Sequence, residues 1–180
     1  MDKAPAKSLR FSDIWNNYPN HDPCVNPRTG KKAYDDQCAI RLGKALEKSG
    51  VSFAKFPGSR CEFGPRDNGM ALRAQELAGW LRTRPFSSCP VAAPIPSKDF
   101  VKWLQGRTGI VFFQDYWFRD GEKFPTGDHI DLWNINQLTP SFTTFLRFRL
   151  GITQIPNLLG RGNYYTDLGK SRQILFWPIP

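Results

Sequence analysis

Apolar side chains along this chain follow two different rhythms, helical in the first half and strand-like in the second. From Asp36 onward, Cys38, Leu42, Ala45 and Leu46 recur at helical spacing, with Asp35 or Asp36 where an N-cap belongs and Lys48-Ser49-Gly50 as a stop. The spacing predicts an amphipathic helix there, and a second from about Met70 to Arg82 with Ala74, Leu77, Ala78 and Leu81 on one face. In the second half the pattern becomes short apolar runs. Ile110 to Trp117 and Ile130 to Trp133 read as strands joined by a Gly- and Pro-containing loop from Arg119 to Gly127, and antiparallel pairing is the simplest arrangement. Gln173 to Trp177 reads as a last strand, and Pro140 as the opening of a helix through Phe145 and Leu150.

The segments between these elements carry turn formers. Residues 1–35 are rich in Pro, Asn and Gly and read as an irregular wrapping segment. Four prolines between Arg84 and Ser97 argue against regular structure and mark an internal connector at 84–97, after which Ser97 is placed to cap a short helix through Phe100, Trp103 and Leu104. At 180 residues, with no internal repeat, the chain reads as a single domain, 1–180.

Charge narrows the function classes. The net charge is +9, but it is spread, with 15 basic and 9 acidic side chains in residues 1–90 and 10 and 7 in residues 91–180. No basic stripe or nucleic-acid module stands out, so no nucleic-acid partner is expected, while a diffuse positive field still attracts anionic polymers and acidic proteins. Residues 1–15 lack the apolar run of a secretory signal, and no stretch approaches the roughly 20 apolar residues of a membrane span. Gly169-Lys170-Ser171 ends like a phosphate-binding loop, but Tyr164 stands where that loop needs its first Gly, and no Gly-x-Ser-x-Gly elbow occurs.

Chemistry that needs imidazole or thiol has few places to reside: His21 and His129, and Cys24, Cys38, Cys61 and Cys89. The cysteines form no Cys-x-x-Cys pair, and the His-x-x-Cys pair of His21 and Cys24 has no second pair, so no metal is expected; no cofactor is expected either, and three complete disulfide pairings stay open. Cys38 falls in the first turn of its helix, where unpaired amides and the helix dipole stabilise a thiolate. It also fits as a small hydrophobe on the apolar face, and position alone does not decide between the two. His129 opens a strand, with Asp131 two residues on and therefore on the same face, able to orient the ring; a turn His and a solvated Asp fit the same pattern. His21 lies in a Pro-rich loop. If Cys38 stays a thiol, at least one other cysteine is also left out of a disulfide within one chain.

Several phrases together resemble the fourth family of type VI secretion amidase effectors, peptidoglycan-cutting toxins related to the papain-like NlpC peptidases. They are Asn17-Tyr18-Pro19 with Pro23-Cys24, Asp36-Gln37-Cys38-Ala39-Ile40-Arg41, Phe56-Pro57-Gly58 with Arg60-Cys61, and Leu72-Arg73-Ala74-Gln75-Glu76-Leu77-Ala78. Further on come Gly109-Ile110-Val111-Phe112-Phe113, Asp115-Tyr116-Trp117 and Gly127-Asp128-His129-Ile130-Asp131-Leu132-Trp133, so the likeness spans residues 14 to 138.

The resemblance implies an α+β fold with a papain-like, NlpC-type core, in which a nucleophile-bearing helix packs on an antiparallel sheet. It implies Cys38 as nucleophile and His129 as its base, and cleavage of the γ-D-glutamyl to meso-diaminopimelate bond in the periplasm of rival bacteria. It also implies type VI delivery from the producer's cytoplasm and an immunity protein as partner. One departure stands out: the family's third catalytic residue is the Asp of a Leu-Thr-Asp phrase, and here the phrase is Leu138-Thr139-Pro140. Asp131 is then the expected orienting group, with Asn136 and Gln137 as alternatives. The same departure leaves room for a non-catalytic wall-binding or decoy protein of this fold. Trp117 and Trp133 stand equally open as core or as substrate platform.

Overall fold

A computed structural model describes residues 8–118, 121–139 and 168–180. The chain forms two compact units, one of residues up to Val91 together with Ile179–Pro180, the other Ala92–Pro178. The division between them falls inside the Pro-rich connector.

The first unit is built on helices. α1 (Phe11–Asn16) buries Phe11 and Ile14, and its first N–H donates to the carbonyl of Pro180 at 2.8 Å. This helix corrects the expectation that residues 1–35 are irregular throughout: six residues are too short for a periodic signal, and the two apolar anchors are what hold it. α2 (Cys38–Lys48) buries Ala39, Ile40, Leu42, Gly43, Ala45 and Leu46, the face read from the spacing. α3 (Ala74–Arg82) buries Leu77, Ala78, Trp80 and Leu81 and begins four residues later than the pattern suggested, because Met70 and Ala71 pair with the 59–61 segment instead.

Gly43 is required where it stands. A Cβ there would lie 1.9 Å from the carbonyl oxygen of Gly69, so the 68–70 loop crosses directly on the helix backbone. Phe53, Phe56 and Trp80 form an aromatic cluster with ring centroids 4.7 to 5.7 Å apart.

The second unit is a five-stranded, wholly antiparallel sheet in the order β1–β5–β2–β3–β4, comprising β1 (Ala93–Ile95), β2 (Arg107–Trp117), β3 (Gly127–Ile135), β4 (Gln137–Leu138) and β5 (Gln173–Pro178). The two predicted central strands pair as expected. β1 was not expected, since Pro94 lies in it; the strand is tolerated because it is at the sheet edge, where a missing N–H costs no ladder bond.

α4 (Phe100–Leu104) forms without Ser97 as its cap: the Ser97 hydroxyl donates to the Ser171 carbonyl at 2.7 Å, and Asp99, at φ 60°, takes the N-cap position. Phe100 and Leu104 pack on the sheet face that carries Val111, Phe113, Trp133, Ile174 and Phe176. The alternate residues Ile110, Phe112, Ile130, Leu132, Leu175 and Trp177 are buried as well. Burial on both faces is why these strands read as continuous apolar runs rather than as alternation. Trp133 belongs to this core, its Nε1–H donating to the Leu104 carbonyl at 2.8 Å. The side chain of Trp117 and the helix expected from Pro140 to Leu150 lie outside the described residues.

Candidate active site

Cys38 is the first residue of α2, half-buried, with Gln37 as N-cap. The helix therefore starts one or two residues later than a cap at Asp36 or Asp35 would place it, and the thiol is in the first turn, among N–H groups that lack helical acceptors. Asp36 does not cap the helix as an N-cap residue; its Oδ1 accepts a long bond, 3.4 Å, from the N–H of Cys38.

The cysteine arithmetic is resolved by one bridge, Cys24 to Cys61, with a Cα–Cα distance of 6.1 Å. Ile40 of α2 and Met70 pack in the same buried cluster as this disulfide. Cys38 and Cys89 remain thiols. Cys89 is buried, its Sγ is 3.5 Å from the Leu81 carbonyl, and burial pushes its thiol up to about 11 against a smaller opposing pull from Arg84. Such a thiol is inert at neutral pH, whereas one in a first helical turn is favoured as thiolate.

On the sheet unit, His129 pairs across β2–β3 with Phe113, and the two rings stack with centroids 6.4 Å apart. Just beyond this pair the register slips: Phe113 faces His129 and Trp117 faces Gly127, so three residues of β2 oppose one of β3. Asp115 takes φ 51° inside this bulge and donates its N–H to the Asp128 carboxylate at 3.0 Å. A bulge beside a strand residue re-aims its side chain.

Asp131 shares the face of His129, as the strand period requires. Its Oδ2 lies 3.5 Å from His129 Nε2, and the Asp131 side chain is 3 % exposed. Thr139 Oγ1 donates to the same carboxylate, 2.7 and 2.8 Å from its two oxygens, and the N–H of Leu132 donates to Oδ1 at 2.8 Å. Asn136 and Gln137 are exposed at the other end of β3, where Gln137 pairs with Asn134. Asn134 is five steps along the strand from His129, roughly 17 Å of rise, so neither amide is near the ring. His21 is exposed, with Nδ1 3.1 Å from Asn20 Oδ1.

Thr139 and Gln37 were not singled out by sequence reasoning, although both stand within quoted phrases. The signal for Thr139 was its place beside the altered position Pro140. A buried hydroxyl next to a lost acid points to a remaining acceptor nearby.

The model of the family of type VI secretion system (T6SS), amidase effector protein 4 (Tae4), matches residues 34–177. The chain belongs to this family. It is accordingly a Tae4-family T6SS amidase effector, and an amidase is a hydrolase. Cys38, His129, Asp131 and Thr139 all lie inside the matched span, while Cys24 precedes it.

Among solved structures, effector Tae4 from Salmonella typhimurium, in complex with the immunity protein Tai4 from Enterobacter cloacae, is similar with a TM-score of 0.59 and 16% identity. The similarity covers 96% of this chain and 99% of that one. Effector Tae4 from Enterobacter cloacae has a TM-score of 0.59 and 17% identity over 97% and 98% of the two chains. The Tae4–Tai4 complex from Enterobacter cloacae has a TM-score of 0.56 and 16% identity over 97% and 100%. At these identities the likeness is one of fold, an α+β Tae4-like structure. No curated protein matches. Among the described residues, no helix is long and apolar enough to cross a membrane.

Proposed function

We propose that this Tae4-family chain is a peptidoglycan amidase that works as a cysteine peptidase, with Cys38 as nucleophile, His129 as general base and Asp131 as the group that orients the imidazole. The observation that carries this reading is the family match over residues 34–177, which contains a thiol at the first position of a helix and a His–Asp pair on one strand face. A single catalytic domain with a papain-like, NlpC-type core is part of the proposal.

In this mechanism His129 takes the proton of Cys38, and the thiolate attacks the carbonyl carbon of the stem-peptide amide. The tetrahedral oxyanion is held by N–H groups of the first turn of α2. His129, now protonated, gives its proton to the departing amine, the C–N bond breaks, and a thioester remains on Cys38. A water deprotonated by His129 then releases the acid and restores the thiol. Asp131 fixes the ring through its carboxylate, which Thr139 and the Leu132 N–H hold in place. The residues need neither metal nor cofactor for these steps.

The substrate bond in this reading is the γ-D-glutamyl to meso-diaminopimelate link, cut in the periplasm of a target cell after type VI delivery. The solved relatives crystallised with Tai4 support an immunity protein as this chain's partner, and its +9 charge suits both an anionic wall and an acidic inhibitor.

The test uses purified diaminopimelate-type sacculi with the wild type, Cys38→Ala and His129→Ala. Soluble product from the wild type alone, with mass analysis locating the cut after D-glutamate, is the expected result. Full activity in either variant sinks the catalytic assignment, and a different cut site rejects the bond specificity alone. Binding to sacculi with no product from the wild type would make the chain a wall-binding decoy.

A further inference from the structure

Gln37 stands between the Cys24–Cys61 disulfide and Cys38. Its side chain is buried, 3 % exposed, and turns away from the helix it precedes: it makes no cap bond to α2. Instead Oε1 accepts the N–H of Cys24 at 2.9 Å, while Nε2 donates to the carbonyls of Cys24 at 2.9 Å and Tyr34 at 3.2 Å. A primary carboxamide has two N–H donors, and both are used here. The pair of bonds to one residue's N–H and C=O copies what a neighbouring strand would offer, so the side chain acts as a clamp on the Cys24 backbone.

Cys24 is itself anchored twice more. Its carbonyl accepts the N–H of Ala33 at 2.9 Å, and its side chain is bonded to Cys61, whose N–H donates to the Met70 carbonyl at 2.9 Å. Gln37, with φ −119° and ψ 23°, is the last non-helical residue before the thiol. Its backbone angles set the direction in which the Cβ of Cys38 leaves the helix end.

We propose that Gln37 is a positioning residue for Cys38: its carboxamide ties the N-cap of α2 to the crosslinked Cys24 segment and thereby holds the thiol in the first turn. The proposal rests on the reading of Cys38 as nucleophile. It also distinguishes Gln37 from an oxyanion donor. For Nε2 to reach a substrate oxygen it must let go of a carbonyl of Cys24 or Tyr34, and Cys24 is fully buried, where water is no substitute partner.

The experiment compares the oxidised full chain with Gln37→Met, which keeps the length of the side chain and removes its polar atoms. Three quantities are read well below each protein's melting temperature: kcat and KM on a soluble stem peptide, the rate of iodoacetamide alkylation at Cys38 located by mass spectrometry, and the circular dichroism spectrum. Alkylation is a displacement at carbon in which no oxyanion forms, so it reports on the thiol alone.

A positioning role predicts that kcat falls about 10- to 100-fold with KM within about twofold, and that alkylation of Cys38 slows about threefold or more. A fall in kcat with alkylation at or above the wild-type rate makes Gln37 an oxyanion donor and overturns the proposal. Wild-type values of both rates make it scaffold and overturn it equally. Should Gln37→Met not fold, Gln37→Glu, which keeps the acceptor for Cys24 and loses both donors, is measured in the same way. Turnover surviving in Cys38→Ala refutes the nucleophile reading separately, since the alkylation rate still shows whether Gln37 controls this thiol.

Discussion

Asp131 Oδ2 lies 3.5 Å from His129 Nε2, two residues along one strand and on one face of the sheet. The carboxylate has lost nearly all contact with water and is held by Thr139 and a backbone N–H. In a triad, the third member fixes the tautomer and orientation of the imidazole, and its worth depends on being held still. Asp131→Asn should therefore lower kcat about 100-fold or more with the fold intact. An unchanged rate would remove Asp131 from the mechanism.

Thr139→Val keeps the shape of the side chain and removes the hydroxyl. It should lower kcat about 3- to 30-fold through a loosened Asp131, and Thr139→Ser, which restores the donor, should recover most of it. Equal loss in both variants would show that the methyl group, not the hydroxyl, is what matters.

The Cys24–Cys61 bridge closes a loop of 37 residues' separation. Loop-closure entropy at that length corresponds to about 4 kcal/mol, which for a chain of this size is roughly 10 °C in melting temperature. Cys24→Ala/Cys61→Ala should melt lower by about that amount, measured without reductant. A change below about 2 °C would mean that the denatured chain gains little freedom without the bridge.

Cys89 sets a pH limit on stability. Burial raises its thiol from 9.0 to about 11 in the folded chain, so the stabilisation is complete below about pH 9 and is lost as pH rises toward 11, where the unfolded chain already carries the thiolate. The melting temperature of the wild type should fall more steeply between pH 8 and 10.5 than that of Cys89→Ala. Parallel profiles would contradict this. The same burial predicts that iodoacetamide at pH 8 labels Cys38 and spares Cys89 in the folded protein.

Ile135 sits at φ 61°, a left-handed backbone that a β-branched side chain disfavours, and its side chain is 55 % exposed. Its backbone pairs with Arg107 and its carbonyl accepts the Gly106 N–H at 2.8 Å, contacts that a change of side chain leaves in place. Ile135→Asn should thus stabilise by about 1 kcal/mol, read as a rise of roughly 2–4 °C in melting temperature. A fall would show that the isoleucine side chain makes contacts worth more than the strain.

Much of the scaffold was legible because periodicity is a local property. The apolar face of α2, the paired central strands and the final strand each announce themselves within about ten residues of sequence. Short elements escape such reading: α1 has six residues and β1 three, too few for a period, and each exists because something outside it supplies partners. Ser97 shows the other limit, since a hydroxyl that could cap its own helix instead bonds to Ser171, 74 positions away in sequence.

The fold class, the family phrases, and the candidate residues Cys38, His129 and Asp131 can be read from local order alone, because a helix start and a strand face follow from neighbouring residues. Folding is what joins Cys24 to Cys61, leaves Asp131 rather than Asn136 or Gln137 beside His129, and sets Thr139 and Gln37 against their neighbours. Apart from the His129–Asp131 pair, those relationships join residues 8, 13 or 37 positions apart, and distance along the chain carries no record of distance in space. Burial then makes the difference functional: a carboxylate or carboxamide shut away from water must find its partners within the protein, and so holds them in one geometry.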